Sequence, residues 1–223
     1  MDFRHEWKHE ISRADMLILR QRLRAVAMPD PHAVDGRYTI RSLYFDDPTD
    51  RALRDKLNGV SHREKFRLRY YNGDSSLIHL EKKTKLASLG NKQSATVTAA
   101  EALAIVDGDI AWMAGDARPL LREFCAKMRT QQLRPKTIVD YTREPFVYAP
   151  GNVRVTMDYD IRTGLGGTDF LNPDCVTIPA TDAVILEVKW DAFLPDIIRD
   201  AVQLPGRRAG AFSKYAQCRL PFS

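Results

Sequence analysis

The feature that most constrains the fold is an alternation of charged and apolar residues with a period of two. It is clearest in residues 63–71, where basic residues occupy every second position and apolar residues most of the positions between: Arg63, Lys65, Arg67 and Arg69 against Phe66, Leu68 and Tyr70. Successive side chains of a β-strand point to opposite faces of the sheet, so the pattern predicts a strand with one buried and one charged face. Like charges spaced about 7 Å apart in such a row repel one another unless they are solvated or hold an anion.

Related patterns recur along the chain and predict about eight strands, interspersed with helices. The predicted strands are residues 3–11, 38–45, 63–71, 76–83, 92–97, 137–148, 152–162 and 183–190, and the turn Asn72-Gly73-Asp74 makes two of them a hairpin. Helices are predicted over residues 12–26, 48–59, 98–113, 117–132, 195–203 and 212–219, two of them with capping residues at Ser12 and Thr98. The predicted fold class is therefore α+β, with helices against a largely antiparallel sheet.

The helices decide which face of the sheet is charged. Their apolar stripes need apolar sheet surface, which the strands offer on the faces that carry Phe66, Leu68 and Tyr70 or Val184 and Leu186. The charged faces then point away from the helices, and in an antiparallel β-barrel of about eight strands that direction is the lumen. A lumen lined with like charges stays open and water-filled. It suits a linear polyanion better than a single phosphate, which needs far fewer ligands.

Composition narrows the class of protein. The net charge of +5 is modest, so the position of the basic residues matters more than their number. Three cysteines without a C-x-x-C pair argue against a disulfide framework and suit a reducing compartment. The first ten residues lack the apolar run of a secretory signal, and no stretch reaches the ~20 apolar residues of a membrane span. We therefore expect one cytoplasmic domain over residues 1–223.

Nucleic acid is not an expected partner, because strands 63–71 and 76–83 lack paired exposed aromatic residues.

Seven motifs in order along the chain resemble the VTC domain, the polyphosphate polymerase domain of the vacuolar transporter chaperone family, within the CYTH or triphosphate tunnel metalloenzyme superfamily. They are residues 40–46 (Ile-Arg-Ser-Leu-Tyr-Phe-Asp), 63–71, 80–83 (Leu-Glu-Lys-Lys), 141–143 (Tyr-Thr-Arg), 153–158 (Val-Arg-Val-Thr-Met-Asp), 185–189 (Ile-Leu-Glu-Val-Lys) and 212–215 (Phe-Ser-Lys-Tyr). The resemblance implies an eight-stranded tunnel that holds a chain of phosphates. It also implies transfer of the γ-phosphoryl group of ATP or another nucleoside triphosphate to a growing inorganic polyphosphate, with Mn²⁺ or Mg²⁺ as cofactor.

The same resemblance implies roles for individual residues. Arg67 and Arg69 match the pair that grips phosphates, and Glu187 matches the glutamate that holds the metal. The other basic positions that match the tunnel wall or its C-terminal helix are Lys8, Lys83, Lys92, Arg143, Arg154, Lys189 and Lys214. Arg41 and Lys65, within the same motifs, complete the expected substrate-binding set, and Glu81 and Glu6 are further candidate metal ligands. Hard oxygen ligands suit Mg²⁺ and Mn²⁺.

Several alternatives stay open at this point. Glu81 could pair with Lys83, and Glu187 with Lys189, merely to balance charge. Relatives of the triphosphatase type carry Glu-x-Glu-x-Lys on the first strand, where this chain has Arg4-x-Glu6-x-Lys8. Loss of that carboxylate disfavours the alternative function of a triphosphatase or polyphosphatase. A non-catalytic polyphosphate-binding module is the third reading, and it would not need Glu187. Pyrophosphate and triphosphate are further expected ligands, and transport of the product would need a separate membrane protein.

Overall fold

A computed structural model of the chain describes residues 4–86, 89–206 and 210–220. Contacts group the chain into two units, which we describe in turn. The first unit comprises Met1–Thr39, Tyr141–Ile161 and Thr181–Phe212, and the second comprises Ile40–Asp140, Arg162–Ala180 and Ser213–Ser223.

The first unit is built on strands β1 (His5–Ile11), β8 (Val153–Thr163), β10 (Val184–Trp190) and the second half of β7 (Arg134–Tyr148), in the order β1-β10-β8-β7. β10 is antiparallel to both β1 and β8. A two-residue strand, β2 (Met28–Pro29), pairs with β7. Helices α1 (Arg13–Val26) and α5 (Asp196–Val202) cover the apolar side of these strands. Leu19 and Leu23 of α1 are fully buried in a core with Val155 and Leu186.

The second unit contains the first half of β7 followed by β3 (Tyr38–Asp46), β4 (His62–Tyr71), β5 (Asp74–Leu86) and β6 (Leu89–Val97). The last four strands pair antiparallel in sequence order. The helices are α2 (Arg51–Leu57), α3 (Ala99–Asp107), α4 (Pro119–Thr130) and α6 (Lys214–Arg219), and strand β9 (Ile178–Thr181) pairs with β8. Phe124 of α4 packs against Phe45 and Phe66, so the helix side of the sheet is the apolar side.

These elements confirm the predicted α+β fold class with about eight main strands in an antiparallel sheet. Asn72 and Gly73 take φ angles of 53° and 72°, the left-handed conformation that the predicted hairpin turn requires. Both predicted N-caps are present, and each forms a capping box, Ser12 with Asp15 and Thr98 with Glu101. Phe3, in the predicted first strand, lies outside the described residues.

The helix predicted from Pro48 to Gly59 is shorter in the structure and covers Arg51–Leu57. The largest difference from a predicted helix boundary lies at the end of α3. The helix predicted over residues 98–113 ends at Asp107, and a short 3-10 helix, Ala111–Gly115, follows it. The cause is Gly108, whose φ of 85° ends the helix in the left-handed conformation that glycine accepts without strain. None of the helices formed by the described residues has the length and apolar character that crossing a membrane requires.

Candidate phosphate-binding and metal-binding site

Four charged side chains of the first unit lie together on β1 and β10, and we call them the Glu187 cluster: Glu6, Lys8, Glu187 and Lys189. Strand pairing places Lys8 opposite Glu187 and Glu6 opposite Lys189. The Lys8 Nζ atom lies 3.2 Å from Glu6 Oε2 and 3.6 Å from Glu187 Oε2. The Lys189 Nζ atom lies 3.5 Å from Glu6 Oε1 and also contacts Glu187. Each ammonium group thus contacts both carboxylates, and the pairing of Glu187 with Lys189 weighed from the sequence is present.

Burial strengthens the interactions in this cluster. Glu187 is only 5% exposed. Burial by itself would lower the pKa of Lys8, but the charges of Glu187 and Glu6 outweigh it, and the pKa is raised above its ordinary value. Lys8 is therefore a fixed cation at neutral pH. Its ammonium group can bind a phosphate oxygen only by sharing its charge with the two carboxylates.

Arg143 and Asp158 form a second ion pair in the first unit. The Nε and NH2 atoms of Arg143 donate to the two carboxylate oxygens of Asp158 at 2.6 and 2.7 Å. Asp158 is fully buried, and its charge raises the pKa of Arg143 although burial opposes that shift. The family resemblance implies a role for Arg143 and none for Asp158. The available signal was the period of two, which places Asp158 on the same strand face as Arg154.

Arg154 is held by two residues that are distant from it in sequence. Its NH2 group donates to Asp30 Oδ2 at 2.8 Å and to the Tyr38 hydroxyl at 2.5 Å. Strand pairing places Arg154 opposite Lys189 on β10. Asp30 follows β2 and Tyr38 begins β3, and neither position carries a signal in the sequence that would link it to β8.

The second unit contains a different group of charges, which we call the Glu81 cluster: Arg67, Arg69, Glu81 and Lys92. Arg67 lies opposite Glu81 in the pairing of β4 with β5. The Glu81 Oε2 atom accepts hydrogen bonds from Arg67 Nε at 2.8 Å and NH2 at 2.5 Å, and it lies 3.8 Å from Arg69 NH1. The Glu81 Oε1 atom lies 3.2 Å from Lys92 Nζ on β6.

Three cations thus surround one carboxylate. Glu81 is 1% exposed, Arg67 5% and Arg69 4%. Burial by itself would raise the pKa of Glu81, but Arg67, Arg69 and Lys92 outweigh it, and the pKa is lowered far below its ordinary value. Glu81 is accordingly a permanent anion. It fixes the two arginines and leaves an excess of positive charge on this face of the sheet.

Tyr44, on β3, completes the Glu81 cluster and was assigned no role from the sequence. Its hydroxyl accepts a hydrogen bond from Arg67 NH1 at 2.7 Å, and its ring stacks on Tyr215 of α6 at 5.0 Å. Burial opposes ionisation of Tyr44, but the charges of Arg67, Lys65 and Arg69 lower its pKa to about 8. The register of β3 with β4 places Tyr44 opposite Arg67, which only the folded chain reveals.

The predicted lysines of the second unit lie on strands β4, β5 and β6 and on helix α6. Lys65 lies opposite Lys83, and Lys83 opposite Lys92, so these three lysines share the face of the Glu81 cluster. Lys214 begins α6, whose next residue, Tyr215, stacks on Tyr44 and donates to Asp46 at 2.8 Å.

Arg41 differs from the other basic residues of the second unit. Its Nε and NH2 atoms each lie 2.9 Å from a carboxylate oxygen of Asp140, and NH1 donates to the Asn172 carbonyl at 2.6 Å. By register, Arg41 pairs with Tyr70, whereas its neighbour Ser42 pairs with Arg69 and accepts a hydrogen bond from it. Arg41 therefore lies on the opposite face from Arg67 and Arg69, and the structure does not bring it together with them.

The three candidate metal ligands are distributed over both units of the chain. Glu6 and Glu187 share two lysines in the first unit, whereas Glu81 belongs to the second unit and is held by arginines. Within residues 4–86, 89–206 and 210–220, no group of three or more His, Cys, Asp or Glu side chains is placed to hold a metal ion. Two carboxylates still fit a hard divalent ion, because Mg²⁺ in phosphate-binding sites commonly takes one or two carboxylates and completes its shell with phosphate oxygens and water.

Comparison with known proteins adds to this geometry. A family model of the VTC domain matches residues 3–221, nearly the whole chain. A crystal structure of a candidate adenylate cyclase from Bacillus halodurans has a TM-score of 0.51 at 12% identity, over 84% of this chain and 80% of that one. The PH1012 protein from Pyrococcus horikoshii OT3 has a TM-score of 0.52 at 10% identity, over 97% of this chain and 99% of that one. At such identities these two structures show a shared fold alone. No curated protein matches the sequence at a significant level.

Proposed function

Because the chain belongs to the VTC domain family, we propose that it is a metal-dependent polyphosphate polymerase. In this proposal residues 1–223 form one functional domain that transfers the γ-phosphoryl group of ATP to a growing inorganic polyphosphate chain. The observation that carries the proposal is the Glu81 cluster, where two buried arginines and a lysine surround a single carboxylate. Buried arginines that converge on a basic strand face suit an anionic ligand, because guanidinium groups bind phosphate oxygens through paired hydrogen bonds.

The chain's own residues would contribute position and charge. Phosphoryl transfer needs in-line placement and stabilisation of the charge on the transferred group, and little covalent help. Arg67 and Arg69 would bind non-bridging phosphate oxygens through their planar, permanently charged guanidinium groups. Tyr44 and Glu81 would hold Arg67 in one orientation, since together they accept from its Nε, NH1 and NH2 atoms.

The Glu187 cluster would supply the metal-binding carboxylates. Glu187 and Glu6 would hold Mg²⁺ or Mn²⁺, and the bound ion would neutralise charge on the phosphate oxygens. Lys8 and Lys189, which contact both carboxylates, would bind phosphate oxygens beside them. Position 4 carries an arginine that donates to Asp191 at 2.7 Å rather than a third carboxylate, which favours the polymerase over the triphosphatase.

The test is phosphorus-31 NMR of the purified protein with ATP and Mn²⁺, with and without a pyrophosphate primer. Mid-chain polyphosphate signal that grows together with ADP is the expected result. Orthophosphate without a mid-chain signal would show a hydrolase instead. The absence of any turnover, with triphosphate binding retained, would leave a binding module.

Arg67→Ala tests the phosphate-binding part of the proposal. We expect affinity for triphosphate, measured by calorimetry, to fall about tenfold to a hundredfold, because a hydrogen bond to a charged group contributes ~1.5–3 kcal/mol. Arg67→Lys keeps the charge against Glu81 and serves as the variant that should fold. The matched control is Arg54→Ala, which removes an exposed arginine of α2 and should leave the affinity unchanged. Unchanged affinity in both Arg67 variants would remove Arg67 from the binding site.

A further inference from the structure

Thr156 lies in the middle of the charged face of β8, and its hydroxyl group is buried. The residue is 3% exposed, and its Oγ1 atom has no hydrogen-bond partner among the residues that the structure describes. Strand pairing places Thr156 directly opposite Glu187. The period of two places Arg154 and Asp158 on either side of it on the same face.

Arg154 has a second buried donor group near that of Thr156 on the same strand. Its NH2 group is fixed by Asp30 and Tyr38, while its Nε atom is buried and has no hydrogen-bond partner in the described part of the chain. Arg154 and Thr156 are two residues apart, so their attachment points on the strand are separated by about 7 Å. The oxygens of one phosphate group can accept from two donors at such a spacing, because each N–H···O or O–H···O bond spans about 2.7–3.0 Å.

A buried donor without an acceptor costs free energy, and in native proteins it calls for a specific explanation such as a bound ligand or water. The charges nearby indicate which kind of acceptor these two donors suit. The carboxylates on this part of the sheet are already engaged: Asp158 with Arg143, Asp30 with Arg154, and Glu187 with Lys8 and Lys189. The ammonium group of Lys189 lies on β10 opposite Arg154. The surroundings thus combine donors and cations, which favour an oxyanion.

We propose that the Thr156 hydroxyl and the Arg154 Nε–H group donate to oxygens of one phosphate group of the bound polyphosphate or triphosphate, which makes Thr156 a substrate-binding residue. This inference depends on the proposed function for one point, which is that the bound anion is polyphosphate or triphosphate. By register, this phosphate lies beside Glu187, the candidate metal ligand, so Thr156 orients the phosphate that neighbours the metal-binding carboxylate.

The test compares Thr156→Val, which removes the hydroxyl with little change of shape, with Thr156→Ser, which keeps it. Binding of inorganic triphosphate is measured by calorimetry in EDTA, without ATP or metal, so that turnover plays no part. We expect Thr156→Val to bind about tenfold more weakly, a loss of ~1.4 kcal/mol, and Thr156→Ser to bind within about twofold of the wild-type protein. The melting temperature of Thr156→Val should be unchanged or higher, because no hydrogen bond of the free protein is lost.

Thr163→Val is the matched control on the same strand. The Thr163 hydroxyl donates to the Cys218 carbonyl at 2.9 Å and accepts from the Leu165 amide at 3.0 Å. Its loss should lower the melting temperature and leave triphosphate affinity unchanged, the reverse of the result for Thr156→Val.

Equal triphosphate affinity in wild type and Thr156→Val would overturn the inference and leave a buried water as the partner of the hydroxyl. So would a wild-type protein that binds no triphosphate. A wild-type protein that binds triphosphate through Thr156 but makes no polyphosphate would overturn the polymerase proposal alone.

Discussion

Neutralising Glu81 separates two roles for this residue, a metal ligand and an anchor for the arginines. In Glu81→Gln, Arg67 and Arg69 remain buried without their carboxylate. Removing one partner of a buried ion pair typically costs ~3–5 kcal/mol, and the amide oxygen still accepts one hydrogen bond, which favours the lower end. Lys92 adds little, because its side chain is 53% exposed and an exposed ion pair contributes only ~0–1 kcal/mol. We therefore expect a loss of ~3 kcal/mol in the free energy of unfolding.

The assay is urea unfolding at pH 7, in which the midpoint should fall while the slope stays unchanged. Excess triphosphate should restore part of the loss, because ligand at 100 times its Kd stabilises a protein by ~2.7 kcal/mol and the variant has one negative charge fewer to repel it. Glu64→Gln is the matched control. Glu64 lies on the other face of the same sheet, paired with Lys82 and Lys127 and only partly buried, so its loss should cost under about 1 kcal/mol.

The loss of stability at low pH, which we call the acid limb, gives an independent check of the role of Glu81. The pKa of Glu81 is lowered in the folded protein from an ordinary value of 4.5, so its contribution is complete above that pH and is lost as the pH falls toward the folded value. Glu81→Gln should therefore lose less stability than the wild type between pH 4.5 and pH 3. A variant that matches the wild type in midpoint and acid limb, yet has lost metal-dependent turnover, would refute the anchor role and favour the metal ligand.

Two further variants test the proposed site. Glu187→Gln should abolish metal-dependent turnover in the phosphorus-31 NMR assay, while most of the triphosphate affinity remains. The control Glu10→Gln, at an exposed position on β1, should change neither turnover nor affinity. Normal turnover in Glu187→Gln would remove Glu187 from the metal site. Tyr44→Phe should abolish a pH effect centred near pH 8, where ionisation of Tyr44 adds a negative charge against Arg67. In the wild type we expect triphosphate affinity to fall as the pH rises through 8. The free energy of unfolding should rise over the same range, because the pKa of Tyr44 is lower in the folded protein than in the unfolded chain. Equal pH profiles in wild type and Tyr44→Phe would show that Tyr44 is not the titrating group.

The elements of the fold were predictable because their signals are local. Alternation over residues 63–71 marks β4, Asn72-Gly73 marks its turn, and Ser12 with Asp15 marks the start of α1. Each signal depends only on neighbours in the sequence. The period of two also placed the apolar faces correctly, because burial of Phe66 and Leu68 is decided by a single choice of face.

Partners across strands were harder to predict. The sequence alone suggests Lys83 as the partner of Glu81, two residues away on the same strand, where same-face neighbours are about 7 Å apart. Directly opposite residues on paired strands are about 4.5–5.5 Å apart, and the structure pairs Glu81 with Arg67 at that closer position. Strand register decides such pairs, and it depends on the whole sheet. The same reason explains why the sequence did not identify Tyr44, Asp158 and Asp30 as the partners of Arg67, Arg143 and Arg154.

Charge alone was also a weak guide to function. Arg41 lies in a motif with basic neighbours, yet it turns to the opposite face and forms an ion pair with Asp140. Its parity with Leu43 and Phe45 was visible in the sequence and indicated that face. For arginines on a two-sided sheet, parity with known core residues is a better guide than membership of a basic motif.

The excess of positive charge in the Glu81 cluster is an argument for ligand binding that does not depend on family membership. Buried ion pairs can often be replaced by apolar residues of similar volume with no loss of stability, so stability alone does not explain two buried arginines. Arg67, Arg69 and Lys92 set three positive charges against the one negative charge of Glu81. An anchor for a single arginine would need one carboxylate and no further cation. A polyanion bound against these cations would account for their convergence, and phosphate chains should then stabilise this unit more strongly at low salt than at high salt.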